Sequence, residues 1–94
     1  MALVTFKRSG TAKSIRGSVR PESGGDTRKL NFDQNGVAKM ELDPDTYILG
    51  CIASGKKDDT FKIAITSPPA SRADVHGTLP QSGFDFGAVE FDVI

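Results

Sequence analysis

The sequence predicts an all-β fold, an antiparallel β-sandwich of about seven strands. Apolar and polar side chains alternate with a period of two along most of the chain, and no segment has the apolar spacing of an amphipathic helix. Ten glycines and five prolines lie mostly between the apolar runs, where turns are needed. Strands with one polar face are typical of antiparallel sheets. With 94 residues, we expect one β-sandwich domain spanning residues 1–94, with one core.

The N-terminal third of the chain predicts three strands. A surface loop rich in Pro and Gly is expected at residues 20–26, between the second strand and the third. The third strand ends at Asp33–Gly36, where the pair Asn35-Gly36 favours a β-hairpin. The apolar faces of these strands consist of Val4 and Phe6, then Ile15, Gly17 and Val19, then Leu30 and Phe32.

The middle of the chain predicts two strands joined by a tight corner at Asp43-Pro44-Asp45. Proline fixes φ and cannot donate to a strand ladder, so the first strand ends there, and the alternation resumes at Tyr47. A second hairpin is expected at Ser54–Asp59, where turn residues separate two apolar runs. The inward faces consist of Ala38, Met40 and Leu42, then Tyr47, Leu49, Cys51 and Ala53, and after the second hairpin Phe61, Ile63 and Ile65.

The strand at residues 47–53 differs from the others because both of its faces are apolar. Ile48 and Ile52 lie on the second face, with Gly50 between them, where it leaves room for a close neighbour. Such a strand is expected at the centre of its sheet, covered by the second sheet, a loop or a partner. These three residues are therefore candidate binding residues.

The C-terminal part contains two irregular features. The segment 67–83 has no clear pattern, and loops of this length tend to be functional or mobile, although a short strand is expected within it at 74–79. Arg72 and His76 in this segment are candidate binding residues.

In the last strand, the apolar residues change from even to odd positions: Phe84 and Phe86 are even-numbered, and Val89, Phe91 and Val93 are odd-numbered. In a regular strand the two groups would point to opposite faces. A β-bulge at Gly87-Ala88 would place all five on one face, and we predict it.

The charges cancel, but they are unevenly distributed. Residues 1–30 contain seven Lys and Arg against two acidic residues, and residues 31–94 contain five basic residues against ten acidic ones. A basic segment can bind nucleic acid, so this is one alternative function. Phosphate-binding surfaces usually also contain exposed aromatic residues or Gly-rich loops. The simpler interpretation is that basic N-terminal strands pair with acidic later ones across a sheet.

The stretch Leu42-Asp43-Pro44-Asp45-Thr46-Tyr47 resembles the Leu-x-Pro-Gly-x-Tyr corner of prealbumin-like β-sandwiches, including the carboxypeptidase-regulatory-like domains. The resemblance covers about 20 of the 94 residues. It implies a Greek-key or immunoglobulin-like sandwich in which Tyr47 packs on the core and its hydroxyl bonds backbone near the corner. Asp45 stands where these families favour Gly, and Asp tolerates a left-handed backbone better than most residues. The domains it resembles are usually noncatalytic modules of exported proteins.

The residues with catalytic or metal-binding chemistry are too few to predict an enzyme. Cys51 and His76 are the only cysteine and the only histidine, and Cys51 lies on a predicted buried face. Zinc needs three or four ligands, which this composition does not supply, and no cofactor motif is present. Calcium is an alternative if two turns meet at one end of the sandwich. Its ligands would then be Asp43, Asp45, Asp58 and Asp59.

We therefore expect a noncatalytic interaction or structural module that binds a protein partner or associates with itself. Binding of a carbohydrate or another small molecule at the loops is an alternative, but the chain has no tryptophan to serve as a stacking surface. No signal peptide and no apolar run long enough to span a membrane is found. The expected location is cytoplasmic for the sequence as written, and extracellular if the chain is a piece of an exported protein.

Overall fold

The computed structural model describes all 94 residues and contains eight β-strands in two antiparallel four-stranded sheets. The predicted β-sandwich is therefore confirmed, with eight strands instead of about seven. One sheet, called the β1 sheet, has the order β4-β1-β6-β7, and the other, called the β5 sheet, has the order β3-β2-β5-β8. The strands are β1 Ala2–Ser9, β2 Ser14–Pro21, β3 Arg28–Lys29, β4 Val37–Leu42, β5 Asp45–Ser54, β6 Thr60–Ser67, β7 Ala73–Thr78 and β8 Phe84–Val93.

One hydrophobic core lies between the two sheets and contains 19 buried residues. The predicted inward residues of β1, β2, β4, β5 and β6 are all buried, because alternate side chains of a strand point to the same face. Phe6 and Phe91 meet edge to face with ring centroids 6.0 Å apart, and Tyr47 stacks on Phe91 at 5.5 Å. Each buried aromatic ring contributes about 2–3 kcal/mol through the hydrophobic effect.

The connections that follow β3, β4 and β5 each carry the chain from one sheet to the other. The hairpins predicted at Asn35-Gly36 and at Ser54–Asp59 are therefore wrong, because β4 pairs with β1 while β3 pairs with β2, and β6 pairs with β1 and β7 instead of β5. The turn chemistry itself is present. Gly36 has a φ of +76°, and the carboxylate of Asp33 accepts hydrogen bonds from the backbone N–H groups of Val37 and Asn35, which lower its pKa.

The proline-tyrosine corner joins β4 to β5 and has the geometry expected from the sequence. Tyr47 is only 6% exposed, and its hydroxyl donates a hydrogen bond of 2.6 Å to the backbone carbonyl of Asp43. Asp45 does not take the left-handed conformation that a glycine would favour there. It is instead the first residue of β5, and the one non-glycine residue with positive φ is Asp58, at 70°.

The last strand, β8, contains no β-bulge, and the predicted irregularity at Gly87-Ala88 is wrong. β8 pairs with β5 without interruption from Asp45↔Val93 to Ser54↔Phe84. Because the register is continuous, Phe84 and Phe86 point away from the core while Phe91 and Val93 point into it. The apolar residues change from even to odd positions because Phe84 and Phe86 are exposed, and not because the strand is irregular.

The segment 67–83 is not one long loop, because residues 73–78 at its centre form a strand of the β1 sheet. It contains a short 3₁₀ turn at Pro69–Ser71 and then β7, which confirms the strand expected at 74–79. The buried hydroxyl of Ser71 donates a hydrogen bond of 2.6 Å to the carbonyl of Asp92, and Leu79 is buried in the core. These contacts attach both ends of β7 to the sandwich. The chain has no helix long and apolar enough to cross a membrane.

Candidate functional site

The side of the β5 sheet that faces away from the core carries the largest group of exposed apolar side chains in the fold. We call this surface the outer face, and it consists of the outward residues of β2, β5 and β8. The strand register places these residues in transverse rows. The three central rows are Arg16–Ile52–Phe86, Ser18–Gly50–Ala88 and Arg20–Ile48–Glu90.

Three large apolar side chains of the outer face are in solvent. Ile52 is 52% exposed, Phe84 51% and Phe86 70%. Ile52 is directly opposite Phe86 in the register, and Phe84 is two residues before Phe86 on the same face of β8, so the three are neighbours. Single exposed apolar residues are common, but a contiguous group on one sheet is typical of an interaction surface.

A shallow groove crosses the middle of the outer face. Its floor is the row Ser18–Gly50–Ala88, whose small side chains lie between two rows that each carry an isoleucine of β5. A methyl group added at Gly50 would lie 3.2 Å from the Ser18 hydroxyl and close to no other atom, so only this one small side chain borders the space above Gly50. The associated depression has a volume of about 710 Å³ and extends from Phe86 and Ile52 toward Lys29 and Phe32. Another surface can therefore approach the backbone of β5 closely.

The outer face has charges of opposite sign on its two sides. Arg16 and Arg20 lie on β2, whereas Glu90 and Asp92 lie on β8, with the apolar residues of β5 between them. The exposed Glu22, which follows β2 beside Thr46, adds one acidic residue to the arginine side. Because neighbouring strands are about 4.8 Å apart, the two columns of charge are separated by about 10 Å. No ion pair joins them, and Lys62–Asp74 on the β1 sheet, at 3.9 Å, is the closest lysine-carboxylate pair. The predicted pairing of basic strands directly with acidic ones is therefore not found.

Of the predicted binding residues, the structure brings Ile48, Gly50 and Ile52 together but places Arg72 and His76 elsewhere. Arg72 precedes β7 and His76 lies on β7, at the edge of the β1 sheet. The His76 side chain is well exposed, and its Nδ1 atom is 3.0 Å from a carboxylate oxygen of Asp74. Both residues are exposed and neither belongs to the outer face. A solvated histidine on a strand accounts for these observations.

The four aspartates considered for calcium form two separate pairs. Asp43 lies just before β5 and Asp45 is its first residue, whereas Asp58 and Asp59 lie after its last residue. The ten residues of β5 span about 30 Å, so the two pairs lie at opposite ends of the sandwich. The carboxylate of Asp45 accepts a hydrogen bond from Ser23, and that of Asp59 accepts hydrogen bonds from Thr11 and the backbone of Lys56. Asp45 and Asp59 thus bond to groups at their own ends of the sandwich, and the four aspartates do not form one ligand set.

Cys51 points into the core, on the face of β5 opposite Gly50 and Ile52. Burial, and to a smaller extent the charge of Asp85, raise the pKa of its thiol to about 11. His76 is exposed on the other sheet, so no base faces this thiol. The position is that of a small buried apolar residue.

The raised pKa predicts that Cys51 is nearly unreactive in the folded protein. At pH 8 the thiol is almost entirely protonated, and the thiolate is the nucleophile. We expect a thiol-specific disulfide reagent at pH 8 to modify the native protein at least 100-fold more slowly than the urea-unfolded protein. Since the folded-state pKa is the higher one, this thiol stabilises the fold at low pH, and the stability falls as the pH rises from about 9 to 11. Equal rates for native and unfolded protein would contradict the buried position.

Comparison of the chain with protein-family models, with curated proteins and with solved structures found no match. Reasoning from the sequence found the centre of the outer face but missed Phe84 and Phe86. The sequence did contain a signal for their exposure, because in a regular strand Phe84 and Phe86 point to the same side as the charged residues Glu90 and Asp92.

Proposed function

We propose that this protein is a noncatalytic interaction module that binds a protein surface through its outer face. The observation that supports this most directly is the contiguous exposure of Ile52, Phe84 and Phe86 beside the open groove at Gly50. The noncatalytic character agrees with the buried, protonated Cys51 and with the separation of the acidic pairs.

The exposed apolar area is large enough to contribute to association. Fully exposed Phe and Ile side chains have roughly 150–200 Å² each, so the exposed fractions of the three residues amount to roughly 300 Å². At about 25 cal/mol per Å², covering this area contributes about 7 kcal/mol before the costs of association. Those costs are at least about 4 kcal/mol, so this patch and its surroundings support weak to moderate binding.

The composition of the outer face favours protein over the alternative ligands. Nucleic acid would meet Arg16 and Arg20, but Glu90 and Asp92 on the same face repel phosphate. A carbohydrate could stack on Phe86, but Ile52, Gly50 and Ala88 around it offer no side-chain hydrogen bonds for hydroxyl groups. A partly apolar protein surface with charges at its rim fits the face better.

Site-specific photo-crosslinking tests this proposal. A benzophenone amino acid in place of Phe86 is expected to give polypeptide adducts in a lysate of cells that make the protein. Their yield should exceed at least fivefold that of the same group at Lys39, which is exposed on the β1 sheet. Adding Ile52→Asp should abolish the adducts, with an unchanged circular-dichroism spectrum because Ile52 is half exposed.

Two outcomes would contradict the proposal. Equal yields of adducts at positions 86 and 39 would mean that the outer face has no preferred partner. Unfolding of the Ile52→Asp variant would mean that this side chain belongs to the internal packing of the fold instead of to an interaction surface.

A further inference from the structure

We propose that the outer face binds an extended acidic segment of a partner protein, which carries a large apolar side chain close to its carboxylates. This inference rests on the proposed function, because it gives the chemistry of the partner of the same surface. Its basis is the groove at Gly50, which is apolar toward β8 and basic toward β3.

The groove runs across the strands, so its two ends lie on different strands. The floor row of small residues continues onto β3, where Lys29 is opposite Ser18 in the register. Lys29 therefore stands at one end, called the β3 end, and Ala88 lies at the other, called the β8 end. Neighbouring strands are about 4.8 Å apart, so the floor is about 14 Å long, which about four residues of an extended chain span.

Three basic side chains surround the β3 end of the groove. Arg16 and Lys29 are exposed on the outer face, and Arg8 reaches this end from the β1 sheet. The Arg8 guanidinium lies 5.1 Å from the centroid of the Phe32 ring, and its Nη1 atom is 3.5 Å from the carbonyl oxygen of Ile15. None of the residues that line the depression is acidic. Carboxylates are therefore the groups that fit this end.

The acidic residues of the outer face lie away from the β3 end. Glu90 and Asp92 are on β8, two strand spacings or about 10 Å from β2. Glu22 is six residues after Arg16, which is about 20 Å along an extended strand. Neither Arg16 nor Lys29 forms an ion pair within the chain. Their charges are therefore available to a ligand.

Two further carboxylates are close to the groove in sequence but are bonded elsewhere. Asp33 follows Phe32, and its carboxylate accepts hydrogen bonds from two backbone N–H groups of its own turn. Asp85 lies on the core-facing side of β8, and its carboxylate accepts a hydrogen bond from the backbone N–H of Phe86. Neither carboxylate lines the groove, so the β3 end stays basic.

The wall of the groove supplies an apolar contact beside these charges. Ile52 and Phe86 form this wall, and more than half of each side chain is exposed. Arg16 is opposite Ile52 in the register, so the apolar wall and the basic end adjoin. Side chains on one side of an extended chain are about 6.6 Å apart. A segment that covers Ile52 with an apolar side chain therefore brings acidic residues one or two positions away to the β3 end.

An extended peptide fits these features better than other anions do. A small carboxylate ligand needs a concave site that buries most of its surface, and this groove is shallow. A nucleic acid longer than the groove would bring phosphates next to Glu90 and Asp92, which repel them. A peptide can instead place its carboxylates at the β3 end alone.

Selection of random peptides, displayed on phage, against the immobilised full chain tests this inference. We expect the enriched peptides to contain at least two acidic residues within four positions of a large apolar residue, and to do so more often than the unselected library. The same library selected against the Ile52→Asp variant should not give these sequences, because the variant places a negative charge in the apolar wall.

The strongest enriched peptide, synthesised with a fluorescent label, is then titrated with variants and followed by fluorescence anisotropy. Arg16→Glu and Lys29→Glu should each weaken binding at least fivefold, because each brings a negative charge to the carboxylates of the peptide. Lys39→Glu changes the net charge equally but lies on β4 of the β1 sheet, and it should weaken binding less than twofold. All three substituted residues are exposed, so circular dichroism should show a retained fold.

The possible results separate this inference from the proposed function. The inference is overturned if no peptide is enriched, if the enriched peptides have no excess of acidic residues, or if neither Arg16→Glu nor Lys29→Glu weakens their binding. Tighter binding of a labelled oligothymidine than of the enriched peptide also overturns it. In each of these cases, adducts of position 86 with a polypeptide still support the proposed function. Absence of both the enrichment and the adducts overturns both proposals.

Discussion

Replacing Leu49 by alanine is expected to lower the free energy of unfolding by about 2–5 kcal/mol. Leu49 is fully buried at the middle of β5, between Val19 and Val89 in the strand register. The substitution removes buried methyl groups and leaves a cavity, because the two surrounding sheets cannot collapse freely. A domain of this size has a stability of about 5–15 kcal/mol, so the loss is a large part of the total. Urea denaturation followed by far-ultraviolet circular dichroism measures it.

The control for this prediction is Ile52→Ala, which lies on the opposite face of the same strand. Ile52 is half exposed, and its replacement should cost about 1 kcal/mol or less. Both variants should be measured at a protein concentration low enough that self-association does not add to stability. Similar losses for the two variants would contradict the assignment of inward and outward faces along β5.

The inward faces of the strands could be predicted from the sequence because they depend on local alternation. Val4 and Phe6 in β1, and Phe61 and Ile63 in β6, are buried as expected. A side chain on every second residue points to the same face whatever the strand pairs with. The tyrosine corner was predictable for the same reason, since Tyr47 and the carbonyl that it binds are four residues apart.

Which strands pair could not be predicted from the turns. The turn before Gly36 has the residues and the positive φ that suit a hairpin, but it joins two sheets instead. The same local chemistry serves a hairpin and a connection between sheets, because both need only a tight reversal of the chain. The choice between them depends on contacts with β1, which is distant in sequence from β4 and β6.

The candidate site was only partly predictable because its most exposed residues are aromatic. Ile48, Gly50 and Ile52 were identified because β5 has two apolar faces. Phe84 and Phe86 were missed because a phenylalanine is usually buried, and a bulge was the simplest way to bury them. The register shows that these side chains remain on the solvent side. A break in the hydrophobic pattern can thus mark an exposed interaction surface as well as an irregular strand.

The register of β8 predicts a second large effect: valine at Gly87 should lower the stability clearly, whereas valine at the adjacent Ala88 should hardly change it. A Cβ atom added at Gly87 would lie 2.8 Å from Cγ2 of Val75, so Gly87 is the point where β8 approaches β7 across the core. Valine is stiff at χ1 and Val75 is buried, so the neighbour cannot move away easily. We expect Gly87→Val to lower the free energy of unfolding by about 1–3 kcal/mol.

Ala88→Val is the matched control, because Ala88 is exposed on the outer face beside Gly50. Valine favours strands, so this substitution should change the free energy of unfolding by no more than about 0.5 kcal/mol. Urea denaturation of the two variants at the same dilute protein concentration measures the difference. A bulge at this position would turn Ala88 toward the core instead. A larger loss of stability for Ala88→Val than for Gly87→Val would therefore overturn the continuous register, and with it the placement of Phe84 and Phe86 on the outer face.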